Sequence, residues 1–109
     1  MAKKKTIRKN IQNIALRFRN LLEEEGTPVE KLILFGSYAR GKAKKESDID
    51  LCIISSKFGK DTTDELQFLL KKTRRIDTRI EPIPVSLQEY RNHDSPLIIE
   101  IRKFGIEIS

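Results

Sequence analysis

Asp48 and Asp50 stand one residue apart at the head of the apolar run Leu51-Cys52-Ile53-Ile54. Ten residues separate them from the pair Gly36-Ser37, which closes an earlier apolar run, Leu32-Ile33-Leu34-Phe35. Side chains two apart on a strand project to the same side, so the two carboxylates face the same space. Left alone they repel, and one resists ionising. A shared divalent cation relieves that conflict. Oxygen-only ligation suits Mg²⁺ or Mn²⁺, with substrate phosphates completing the shell, and two such ions stabilise both the attacking and the leaving oxygen of an in-line phosphoryl or nucleotidyl transfer.

Gly36 and Ser37 suit the other end of such a substrate. Glycine lets backbone approach an anion closely, and Ser37 with the N–H groups of a short helix start can cradle a phosphate. Arg40, one turn on, can meet an outer phosphate oxygen. A third carboxylate is expected from a neighbouring strand. Glu81 and Asp77 are the candidates, and Glu81 is preferred because it sits at a strand end just before Pro82. Taken singly, an Asp-X-Asp is commonly a turn and a Gly-Ser commonly just a bend. The weight lies in their conjunction: strand, Gly-Ser, ten residues, then Asp-Ile-Asp opening a second strand.

These residues need a frame. Ile7, Ile11, Ile14, Ala15, Phe18, Leu21 and Leu22 recur at helical spacing and predict a helix over 6–25, ended by Gly26 and Pro28. Residues 31–35 read as a buried strand, 36–41 as a turn with one helical turn in it, 42–46 as a polar loop and 48–54 as the second strand. A second helix opens near Asp61, with Thr62 and Glu65 as its capping box, Leu66, Leu69 and Leu70 as its apolar side, and a basic end at 71–75. Alternation over 76–83 predicts a strand whose end the two prolines, Pro82 and Pro84, place at an edge. Short helices are expected at 86–91, with Ser86 and Glu89 as a box, and at 96–103. The order α-β-(turn)-β-α-β-α-α gives an α/β fold, a small sheet flanked by helices.

The totals agree with one domain over 1–109. There is no run long enough to span a membrane, and a soluble cytoplasmic protein is the expectation. Cys52, the only cysteine, excludes an internal disulfide and reads as a small core residue. A formal net charge of +6 favours polyanionic partners without choosing among them. The lone His93 and both tyrosines, Tyr38 and Tyr90, read as surface or packing residues. The apolar surplus of the C-terminal LIIEIRKFGIEIS reads as core first, with a partner surface as the alternative.

The stretch FGSYARGKAKKESDIDL resembles the signature of the DNA polymerase β-like nucleotidyltransferase superfamily, in its small bacterial and archaeal branch, the minimal nucleotidyltransferases. The resemblance covers essentially the whole chain. It implies the polymerase β-like fold, a triphosphate held by Gly36 and Ser37, Mg²⁺ (two ions) held by Asp48 and Asp50, and Glu81 in the third carboxylate place, where relatives more often carry Asp. It also implies ATP as substrate and a partner, because minimal nucleotidyltransferases are commonly paired with HEPN RNase toxins. In that class the antitoxin transfers AMP onto a tyrosine of the toxin and silences it. Two other readings compete. One is a non-catalytic antitoxin or nucleic-acid-binding module acting by occlusion, to which Lys3-Lys4-Lys5 and Lys42 to Lys45 lend charge. The other is an enzyme that modifies a small molecule or an RNA end. Nucleic acid is a possible but not a favoured partner, and none of the readings involves a membrane.

Overall fold

A computed structural model describes residues 7–109; the Lys3-Lys4-Lys5 run and Thr6 lie outside the described residues. The first helix, α1 (Lys9–Glu24), buries Ile11, Ala15, Phe18, Leu21 and Leu22, the face its periodicity marks. It closes as a Schellman motif: the Gly26 N–H donates to the Glu23 carbonyl and the Thr27 N–H to the Leu22 carbonyl. Then come β1 (Lys31–Phe35), the one-turn helix α2 (Gly36–Ala39), β2 (Ile49–Ile54), α3 (Thr62–Thr73), β3 (Ile80–Val85), α4 (Leu87–Tyr90), α5 (Pro96–Phe104) and β4 (Ile106–Ile108).

The four strands form one mixed sheet in the order β3-β2-β1-β4. β1 runs antiparallel to β2 and β4, while β2 and β3 are parallel, joined by the α3 crossover. Alternate residues of each strand serve two cores. Leu32, Leu34, Ile49, Leu51, Ile53 and Ile80 pack with Phe18, Leu22 and Leu69 beneath α1 and α3. Ile33, Cys52, Ile54 and Val85 pack with Ile98 and Ile101 of α5 on the opposite face. Burial pushes the Cys52 thiol up to about 12, with the charge of Glu89 adding to it, so this cysteine is an inert core residue.

The structure corrects the expected elements in four places. The strand expected over 76–83 begins only at Ile80 and continues to Val85. Residues before it turn instead: Asp77 Oδ1 accepts from the Arg79 N–H at 2.9 Å, a side-chain bond that competes with extended backbone. Both prolines lie inside this strand, at the sheet's edge. The α3 cap is Asp61, whose carboxylate accepts from the Asp64 N–H at 3.1 Å, one residue before the expected Thr62. Of its apolar side, Leu69 is fully buried but Leu70 is exposed. A strand not foreseen, β4, adds itself to β1 and buries Ile108, absorbing part of the C-terminal apolar surplus. No helix of the described residues is long and apolar enough to cross a membrane.

Candidate active site

β1 delivers Phe35 to its end, and the chain turns at once into α2. Gly36 makes that turn with φ +72°, a left-handed conformation that side chains disfavour. It has a second reason to be glycine: a Cβ there would overlap Oδ2 of Asp50. The antiparallel register explains the contact, since Phe35 pairs with Asp50 across the sheet. The Gly-Ser turn and the second aspartate are thus pressed together.

On the other side of β2 the parallel register sets Asp50 opposite Glu81. Paired residues on adjacent strands project from the same face, so a protonated Asp50 carboxyl can donate to Glu81. Asp48 precedes the first strand residue and is exposed, as is Glu81, while Asp50 is half-buried. Burial, the bond to Glu81 and the charges of Glu81, Asp48 and Glu100 together raise Asp50 to about 6. Of the two candidates for third carboxylate, the fold brings Glu81 to Asp50. Asp77 is committed elsewhere: its two oxygens take Nε and a terminal nitrogen of Arg79 at 3.1 and 2.9 Å. Those bonds to Arg79 hold its carboxyl below the usual range.

The phosphate-binding candidates also gather. Gly36, Ser37, Arg40, Lys42 and Glu100 line one pocket of about 330 Å³. Arg40 is exposed and its guanidinium lies 4.1 Å from the centre of the Phe104 ring, which holds it at the pocket mouth. Tyr38 faces the other way and is buried, its ring in the main core. Glu100 is the lining residue that sequence reasoning did not single out. Lys42 belongs to the basic loop that the sequence already marked for its charge. Glu100 sits on α5, far along the chain, and only the packing of that helix on the sheet brings it here.

A carboxylate cluster with a phosphate-sized basic pocket beside it matches the donor chemistry of Mg²⁺. Among the described residues no three His, Cys, Asp or Glu side chains are grouped so as to hold a metal ion. The repulsion among the carboxylates is measurable. Because Glu81 acts on Asp50 by both bond and charge and Glu100 by charge alone, Glu81→Gln is expected to lower the Asp50 titration midpoint more than Glu100→Gln does. Carboxyl ¹³C NMR of the metal-free variants reads both, and an unmoved midpoint in Glu81→Gln would show that the pair is not in contact.

The model of the nucleotidyltransferase domain family matches residues 16–107. A protein of Methanocaldococcus jannaschii named "Putative protein adenylyltransferase MJ0141" is 29% identical over 80 residues, 73% of this chain and 79% of that protein. Two crystal structures share the fold. One, a toxin–antitoxin with AMP-PNP, superposes with a TM-score of 0.65 at 18% identity, over 90% of this chain and 72% of that one. The other, a mutant of the toxin–antitoxin MntA-HpeT, gives 0.52 at 15% identity over the same shares. With the family match running from within α1 to β4 and so taking in the Gly36 turn, both aspartates and Glu81, the chain belongs to the nucleotidyltransferase domain family and is a nucleotidyltransferase.

Proposed function

We propose that this nucleotidyltransferase is an antitoxin that transfers AMP from ATP to a tyrosine hydroxyl of a HEPN-type toxin. The carrying observation is a Gly36 turn packed directly on Asp50, which the strand register sets opposite Glu81. The name of the archaeal relative and the toxin–antitoxin fold neighbours support the choice of a protein acceptor.

In this reading Ser37 and the first N–H groups of α2 take the outer phosphates, and Arg40 and Lys42 neutralise them from the pocket rim. Asp48, Asp50 and Glu81 would hold Mg²⁺, as two ions; when bound, the metal neutralises phosphate charge and lowers the acceptor hydroxyl's pKa. The hydroxyl oxygen forms a bond to the α-phosphorus, and the bond from that phosphorus to the bridging oxygen breaks. The electron pair leaves with pyrophosphate, and the hydroxyl proton passes to water at the exposed Glu81 side of the site. The protein's part is positioning and charge complementarity rather than covalent chemistry.

Intact-mass analysis tests this directly. A HEPN protein incubated with this protein, ATP and Mg²⁺ is expected to gain whole AMP units on tyrosine, and to gain none with the Asp48→Asn, Asp50→Asn double variant. Tight binding of an unmodified toxin would favour occlusion instead. Lys42 of the basic loop lines the pocket, which favours triphosphate attraction for it. A nucleic-acid role would show as affinity for duplex or single strands falling steeply with salt.

A further inference from the structure

Between α3 and the outer edge of β3 lies a hollow of about 230 Å³ lined by Leu66, Leu70, Glu81, Pro82 and Ile83. All its walls but one are apolar, and that one is the carboxylate in register with Asp50. Leu70 is 42% exposed; among the described residues only it and Ile99 are large apolar side chains so open to water. The hollow is smaller than pockets that hold free small molecules, and its lining does not suit a triphosphate, whose chemistry is provided in the pocket of Gly36, Ser37, Arg40 and Lys42. It is the size of one inserted side chain.

The edge itself narrows what can dock. The Arg79 and Val85 carbonyls accept from the Ile49 and Ser55 N–H groups of the β2 side. The alternate positions Pro82 and Pro84 therefore turn outward nitrogens that carry no hydrogen, so a partner cannot extend the sheet by donor pairing. It must bind through side chains. Charge selects further. Lys72 and Arg75 are tied to Glu25 at 3.3 and 2.6 Å, whereas Lys71 and Arg74, flanking them in sequence just after Leu70, are exposed. An apolar floor whose Leu70 is followed along the chain by the exposed cations Lys71 and Arg74 complements an acidic segment with an aromatic anchor.

We infer that this hollow is the acceptor-side subsite: it takes an aromatic side chain from an acidic stretch of a polypeptide substrate and so sets its hydroxyl beside Glu81. The inference rests on the protein-acceptor reading above and gives it a specificity surface.

The test is ¹⁵N NMR titration of the full chain with a short synthetic peptide carrying one tyrosine between glutamates. Amide shifts are expected to centre on Leu66, Leu70, Glu81 and Ile83. Affinity should fall roughly tenfold in Leu70→Glu, stay the same in Ile99→Glu, and fall again when lysines replace the peptide's glutamates. Retained dispersion of each variant's spectrum shows that it is folded. Shifts centred elsewhere, no saturable shifts, or a preference for the lysine peptide would overturn the inference. AMP transfer to the same peptide is read separately by mass. Binding at the hollow without transfer upholds the subsite while counting against the adenylyl-transfer reading.

Discussion

Asp50→Asn is expected to lose nucleotidyl transfer by roughly a thousandfold while making the metal-free protein more stable at neutral pH. The first half follows from position. Asp50 is the carboxylate between the other two elements of the site, touching the Gly36 turn on one side and Glu81 on the other. Removing one preorganised electrostatic contact from such a site costs about two to three orders of magnitude, and in the proposed mechanism Asp50 would also hold the metal. The second half follows from linkage. Folding raises this carboxyl from 3.8 to about 6, so between those values the native state binds more protons than the unfolded chain. Its contribution to stability is therefore fully present below the unfolded value and is lost as pH rises through about 6. At pH 7 the ionised group is held at a cost. The shift converts to about 3 kcal/mol at most, and solvent screening at this half-buried side chain brings it to about 1 kcal/mol. Asparagine removes the titration. Denaturant unfolding of both proteins with chelator present, at pH 7 and again at pH 5, checks it. The gain should shrink at the lower pH, and an equal or larger gain there would remove repulsion as its cause.

Function and foldedness pull apart at this residue, yet what the sequence made legible of both the fold and the candidate site is local. The Gly36-Ser37 turn and the two aspartates are local patterns, each written in a few adjacent residues. β1 at Lys31–Phe35 and the α1 face were equally readable, because burial repeats with the period of the element. What failed was whatever depended on a competing side-chain bond or on a distant partner. The alternation of Ile76, Thr78 and Ile80 imitates a strand, but Asp77 prefers the Arg79 N–H and guanidinium, and that bond turns the chain until Ile80. β4 is only three residues, too short for alternation to separate from noise, and exists because β1 offers it a free edge. Shared parity does not separate Glu81 from Asp77, and Glu81 is preferred for its place before Pro82; the register sets it opposite Asp50. Glu100 left no mark in the sequence, since on a helix it reads as one more solvated carboxylate.

Gly36→Ala is expected to cost about 2 kcal/mol of stability and to reduce transfer by roughly a hundredfold or more, and Gly41→Ala separates the two causes. Both glycines have nearly the same left-handed backbone, φ +72° and +71°. Alanine in that region costs about 1 kcal/mol at either position. They differ in surroundings. A Cβ at Gly41 meets nothing within 4 Å, whereas one at Gly36 falls on the Asp50 carboxylate, with Cγ also at 3.0 Å. Relief requires Asp50 to swing away from Glu81 or β1 to part from β2, where Phe35 and Asp50 are paired. Either motion shifts a ligand group by about an ångström, enough for a loss of that size in rate. Gly41→Ala should therefore lose about 1 kcal/mol and keep most of its activity. Unfolding midpoints and initial rates of the two variants side by side decide the matter. Equal losses in both would reduce Gly36 to a turn residue. A larger loss confined to Gly36→Ala, above all in rate, would show that the glycine is there to let the turn after β1 and the Asp50 carboxylate occupy adjoining space.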